Sequence, residues 1–180
     1  MSKVRRLILV LALVTSLAAT ASVLAGSLNF GTHLTGDEEV PANVSPAQGQ
    51  AIFRLSADGT RLHYRLIAAD IDNAFMAHIH LAPAGSNGGV VVWLYPGTTP
   101  GPGPLGAGRS DGVLAEGEIT AANLVGALAG RPLSDLVAAL EAGNAYVNIH
   151  TNDGVAPTNT GPGDFPGGEI RGQIELHGHD

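Results

Sequence analysis

The chain has 180 residues, 44% of them hydrophobic, no cysteine, and a formal charge of −7. That length suits about one domain with a sizeable core, and the lack of cysteine excludes disulfides, thiolate ligands and a cysteine nucleophile. An acidic chain with no basic run cannot track phosphates, so nucleic acid is not an expected partner.

Lys3, Arg5 and Arg6 precede an apolar run over residues 7–19, and small residues follow, which is the pattern of a secretory signal peptide. Cleavage is expected after Ala21 or Ala25, with an uncleaved anchor as the alternative. Removing residues 1–25 leaves a domain over 26–180 with six arginines against sixteen Asp and Glu, a formal −10. The run is short for a bilayer span and no later stretch is long and apolar enough to cross one. The expected location is therefore extracytoplasmic, either secreted or periplasmic.

Residues 27–34 alternate loosely like a strand, and acids and turn residues over 35–41 break the pattern. A second strand is expected over 49–55. The turn signal Ala57-Asp58-Gly59-Thr60 joins it to a run in which Leu62, Tyr64 and Leu66 alternate with Arg61, His63 and Arg65, so the two form a hairpin. A connection over 70–73 leads to a strand over 75–81, and residues 90–94 are dense in strand formers. The Gly- and Pro-rich residues 96–112 are expected to form a surface loop, with a short strand over 113–119 after it.

Two short helices are expected next, over 121–128 behind Thr120 and over 135–142 behind Ser134, with Gly143 ending the second. A strand over 145–150, a flexible loop over 152–168 and a last strand over 169–176 complete the chain. In that last strand Ile170, Ile174 and Leu176 share one face and Glu169, Arg171, Gln173 and Glu175 the other. Seven or eight short alternating segments between turn signals indicate an all-β fold, an antiparallel Greek-key β-sandwich or barrel with one or two short helices.

Two strands carry chemistry on one face. Phe75, Ala77, Ile79 and Leu81 form an apolar side against Met76, His78 and His80, and Ala145, Val147 and Ile149 oppose Tyr146, Asn148 and His150. Histidines at i and i+2 have roots roughly 7 Å apart, close enough for both rings to reach one metal ion at about 2 Å. His150 would add a third nitrogen, and His63 or His33 a fourth. Nitrogen donors without thiolate suit Cu(II) or Zn(II), and Met76 on the same face favours copper. The alternative is a set of solvated or hydrogen-bonded imidazoles with no metal.

Around them, Asn148 and Tyr146 are candidates to orient the rings. Arg171 either holds an anion or pairs with Glu39 or Glu169, the ion pair being favoured. His177 and His179 form a second, terminal His-x-His. Residues 153–164 lack the ordered acidic spacing of a calcium loop. No Gly-x-Ser-x-Gly or phosphate-loop motif occurs.

The stretches Leu34-Thr35-Gly36-Asp37-Glu38-Glu39-Val40-Pro41, Ala77-His78-Ile79-His80, residues 143–151 and residues 167–174 resemble, in that order, the signature stretches of the CHRD domain, named after chordin. The resemblance covers roughly residues 28–177 and is to the single-domain, bacterial secreted type. It implies a fold and a site, not a reaction. A weaker similarity, of fold and pattern alone, is to copper/zinc superoxide dismutase, a Greek-key barrel with a His-x-His strand on its outer wall.

Three functions follow as expectations. The first is an exported protein that binds a transition metal, copper before zinc, through His78, His80 and His150. The second is an extracytoplasmic structural or interaction module without metal, whose partner is another protein. The third, a dismutase-type enzyme, lacks the cysteines and the second histidine cluster that the similarity would require.

Overall fold

The computed structural model describes residues 28–177, and the signal-like segment 1–25 and His179 lie outside the described residues. Nine strands, β1 (Asn29–Thr35), β2 (Gln48–Leu55), β3 (Leu62–Asp72), β4 (Ala74–Leu81), β5 (Gly89–Tyr95), β6 (Arg109–Ile119), β7 (Ala145–Thr151), β8 (Ile170–Gln173) and β9 (Glu175–His177), accompany one helix, α1 (Leu133–Glu141). All pairings are antiparallel, in the order β5-β4-β7-β8-β1-β2-β3-β6, with β9 also on β1. The sheet nearly closes into a barrel. Its terminal strands β5 and β6 approach each other, and the Tyr64 hydroxyl on β3 donates to the Leu94 carbonyl on β5 at 2.8 Å. No described helix is long and apolar enough to cross a membrane.

Period-two patterning builds the walls. β2 alternates exposed and buried residues along its length, and Leu55 meets Leu62 across the expected hairpin. Asp58 fixes that turn by accepting from the Ser56 and Thr60 hydroxyls and the Thr60 amide. β3 and β4 are consecutive yet not neighbours, so the chain crosses the barrel between them at Asn73, in the left-handed region at φ 54°. Asn73 ties its surroundings together: its amide donates to Gly108 O and its side chain to Gly163 O.

Three expectations needed correction. Residues 121–128 form two separate 3-10 turns, 121–123 and 126–128, and not a helix. Gly126 sits at φ 56°, and the Val125 amide bonds to Val91 O on β5, so the segment is spent on the barrel wall. β6 begins at Arg109, inside the stretch expected as loop, because Arg109 bonds to both Asp70 and Asp111 at the end of the β3 ladder. The last strand is broken in two at Ile174: β8 pairs with β7 and β9 with β1, so the bent strand joins the two halves of the barrel. Beyond the break Leu176 is exposed, whereas Arg171 and Glu169 before it are buried.

Close approach of β8 to β1 depends on Gly172. A β-carbon there would lie 2.1 Å from His33 O and 2.3 Å from Thr32 Oγ1. Gly172→Ala is expected to cost the fold about 1–3 kcal/mol or more, read by denaturant unfolding, as overpacking against backbone does.

Candidate metal centre

β4 and β7 are neighbours, with His78 opposite Asn148 and His80 opposite Tyr146. Ala77, Ile79, Val147 and Ile149 point into the core, which leaves His78, His80 and His150 on the outer side of the wall. Their solvation is nevertheless lost: they are 3%, 8% and 7% exposed. Loops over residues 36–43, 82–88 and 152–169 roof this outer face.

The roof also sets the tautomers. His80 Nδ1 lies 2.9 Å from Gly88 O, and His150 Nδ1 lies 2.9 Å from Pro166 O. A carbonyl can only accept, so both rings carry their proton on Nδ1 and present a lone pair at Nε2. His78 Nδ1 lies 3.1 Å from His150 Nε2 and donates to it, leaving His78 Nε2 as a lone pair too. His78 Nε2 and His80 Nε2 are buried without a hydrogen-bond partner. One ligand nitrogen from each of the three residues lies within 4.8 Å of the others.

Electrostatics keep the rings neutral. Burial, reinforced by His150 and His80, pushes His78 down to about 3, and burial pushes His150 down to about 4 against its bond to Pro166 O. His80 is lowered mainly by burial, and Arg171 adds to the effect. Neutral imidazole is the form that binds metal. Three such nitrogens with no sulfur ligand fit a copper or zinc ion.

The aromatic packing is tight. Tyr146 stacks on His80 at 4.8 Å and 6°, and the Arg171 guanidinium lies 3.5 Å over the Tyr146 ring. Trp93 of β5 meets His78 edge-on at 4.3 Å, and Phe75 meets His150 at 6.4 Å. Trp93 carries no sequence signal beyond strand propensity. Phe75 was expected in the core, but a β-bulge between Ala74 and Met76 turns it toward the histidines.

The remaining candidates separate. Met76 pairs with His150 in register but is not part of the nitrogen cluster. His63 is exposed and faces Glu118 at 3.3 Å, and His33 bonds Gln48, so neither joins the centre. His177 lies against Gly31 on β9. Arg171 makes no ion pair with Glu39 or Glu169 among the described residues: from the outer face of β8 its guanidinium donates to Asn87 Oδ1 and Ser86 O. Glu169 instead holds that roof, being fully buried and accepting from Ser45 Oγ, Gly163 N and Thr151 Oγ1.

Glu39 lies beneath the roof. Burial raises its carboxyl to about 7, against the Arg171 charge and the Asn148 amide, which lower it. Asn148 acts on both Glu39 and His80, favouring the charged form of each.

A family model described as the CHRD domain matches residues 30–174. No curated protein and no solved structure matches the chain.

The pKa shifts fix the sign of a pH dependence. Unfolded imidazoles protonate near 6.5, while folded His150 and His78 protonate only near 4 and 3, so across that window the unfolded state binds more protons and stability rises with pH. Glu39 opposes this between about 4.5 and 7, where the folded state holds its proton. With three lowered imidazoles against one raised carboxyl, metal-free protein is expected to gain stability from pH 4.5 to 6.5. Denaturant titrations measure this slope, about 1.4 kcal/mol per pH unit for each excess proton. His150→Gln flattens it.

Proposed function

The chain belongs to the CHRD-domain family, and from that premise we propose that it is an exported protein that holds one transition-metal ion, copper in preference to zinc, on His78, His80 and His150. The observation that carries this reading is the buried, neutral trio itself, with ligand nitrogens within 4.8 Å and two Nε2 atoms left without partners. Leaving a buried polar atom unpaired costs about 1–3 kcal/mol, and a bound cation offsets that cost at both atoms. Copper is favoured over zinc by the general affinity order for nitrogen sites and by the thioether of Met76 opposite His150.

Holding, storing or delivering the ion is the role that fits these residues. The His80 and His150 protons lie on main-chain carbonyls, which orients those rings before the ion arrives, whereas the His78 proton lies on His150 Nε2 and must turn away for that nitrogen to bind. Export is inferred from Lys3, Arg5, Arg6 and the apolar run after them. The runner-up is an extracytoplasmic interaction module whose histidines only pack the wall.

Elemental analysis separates these readings. Tag-free protein carrying His177→Gln and His179→Gln, loaded with copper or zinc and desalted, is expected to keep about one ion per chain. His78→Ala, His80→Ala and His150→Ala should each weaken retention by more than the roughly 10–100-fold that an outer-shell loss costs, while His63→Ala leaves it unchanged. A folded protein that keeps no metal would move the conclusion to the interaction module.

A further inference from the structure

A cavity of about 490 Å³ opens beside the metal centre, lined by Glu39, Ala42, Asn87, Phe165 and Gly168 among others. It sits where the three roof loops meet. Asn87 precedes Gly88, whose carbonyl holds His80, and Phe165 precedes Pro166, whose carbonyl holds His150. The loops that line the cavity therefore also carry the two carbonyls that hold His80 and His150.

Glu39 lines the cavity. It is 7% exposed, and its Oε1 is buried without a hydrogen-bond partner. A β-carbon on Gly168 would lie 2.5 Å from that Oε1 and 2.8 Å from Asn148 Nδ2, so the space between carboxylate and amide exists only because residue 168 has no side chain. Asn148 lies opposite His78 on the wall. The Asn148 amide acts on both the Glu39 carboxyl and the His80 ring, and so links the cavity's acid to the imidazoles. Glu39 is not among the residues whose ligand atoms lie within 4.8 Å of one another.

We propose that this cavity is the path by which the cation reaches the three imidazoles, with the Glu39 carboxylate as a relay ligand on the way. The inference rests on the metal reading above. A cation leaving water for this interior meets the buried Arg171, which has no carboxylate within 4 Å among the described residues and repels it. Above about pH 7, where the Glu39 carboxyl is ionised, an anionic oxygen before the imidazoles lowers that barrier, takes the ion from water, and passes it to nitrogen donors that hold a transition metal more tightly. A relay lowers the barrier in both directions, so its removal slows uptake and release alike.

The test mixes metal-free mature protein rapidly with Cu(II) or Zn(II) and follows the fluorescence of Trp93, the chain's single tryptophan, 4.3 Å from His78. Glu39→Gln keeps the shape but removes the charge, and is expected to slow loading about tenfold, the low end of what focused charge gives an on-rate, and to slow release to a chelator as well. Ala42→Leu narrows the exposed mouth without touching Glu39 and is expected to slow both steps. Wild-type rates in both variants would overturn the relay, as would faster release from Glu39→Gln, which would make Glu39 a holding ligand. A wild-type protein that takes up no metal overturns the metal reading, and the relay with it.

Discussion

Covering the polar side of β4 and β7 is the constraint on which the rest of the structure depends. A β-wall with one face in the core would ordinarily leave its other face in water. Here that second face carries three histidines, a tyrosine and an asparagine, all buried. Polar groups removed from water must find partners or remain as a cost, and the loops supply most of them: two main-chain carbonyls for two imidazoles, an asparagine and another carbonyl for Arg171. Among the atoms left over are His78 Nε2 and His80 Nε2, where the rings converge. Glu39 Oε1 and Asn148 Oδ1 beside the centre are unpaired as well, so the unmet polar groups include both imidazole nitrogens and oxygens.

The roof needs anchoring, because loops alone lack the ladder bonds that hold strands. Glu169 provides one anchor, joining Ser45, Thr151 and Gly163 from three parts of the chain through a single carboxylate. Asn73 provides another at the barrel crossing, bonding to Gly108 and Gly163. These contacts couple the barrel's closure to the geometry of the centre. A change that loosens the bent last strand would shift Arg171, and with it the Tyr146 ring stacked on His80.

How far the centre can be read from sequence differs residue by residue. His78, His80 and His150 are legible because strand periodicity alone puts them on the polar faces, and the two strands turn out to be neighbours. Met76 shares their register, but His63 has the same local pattern and lies on another wall with Glu118. Arg171 faces outward as alternation indicates, but the expected ion pair fails because Asn87 and Ser86, from a loop distant in sequence, take its guanidinium instead. Phe75 fails because one bulge reverses its side. Residues 121–128 have helical composition, yet a single left-handed glycine and one bond to β5 decide otherwise.

By itself the sequence determined the all-β class, most strand positions, the hairpin at Asp58-Gly59 and the trio of histidines. Each of these follows from local rules: alternation, turn chemistry and the fixed spacing of side chains along a strand. Only the tertiary structure decided that the trio is buried, neutral and oriented, that Arg171 faces the roof, and that Glu39 stands beside a cavity next to the rings. Those properties depend on desolvation and on carbonyls from loops distant in sequence. They arise when segments far apart along the chain close over one another, and no spacing within a single strand encodes that.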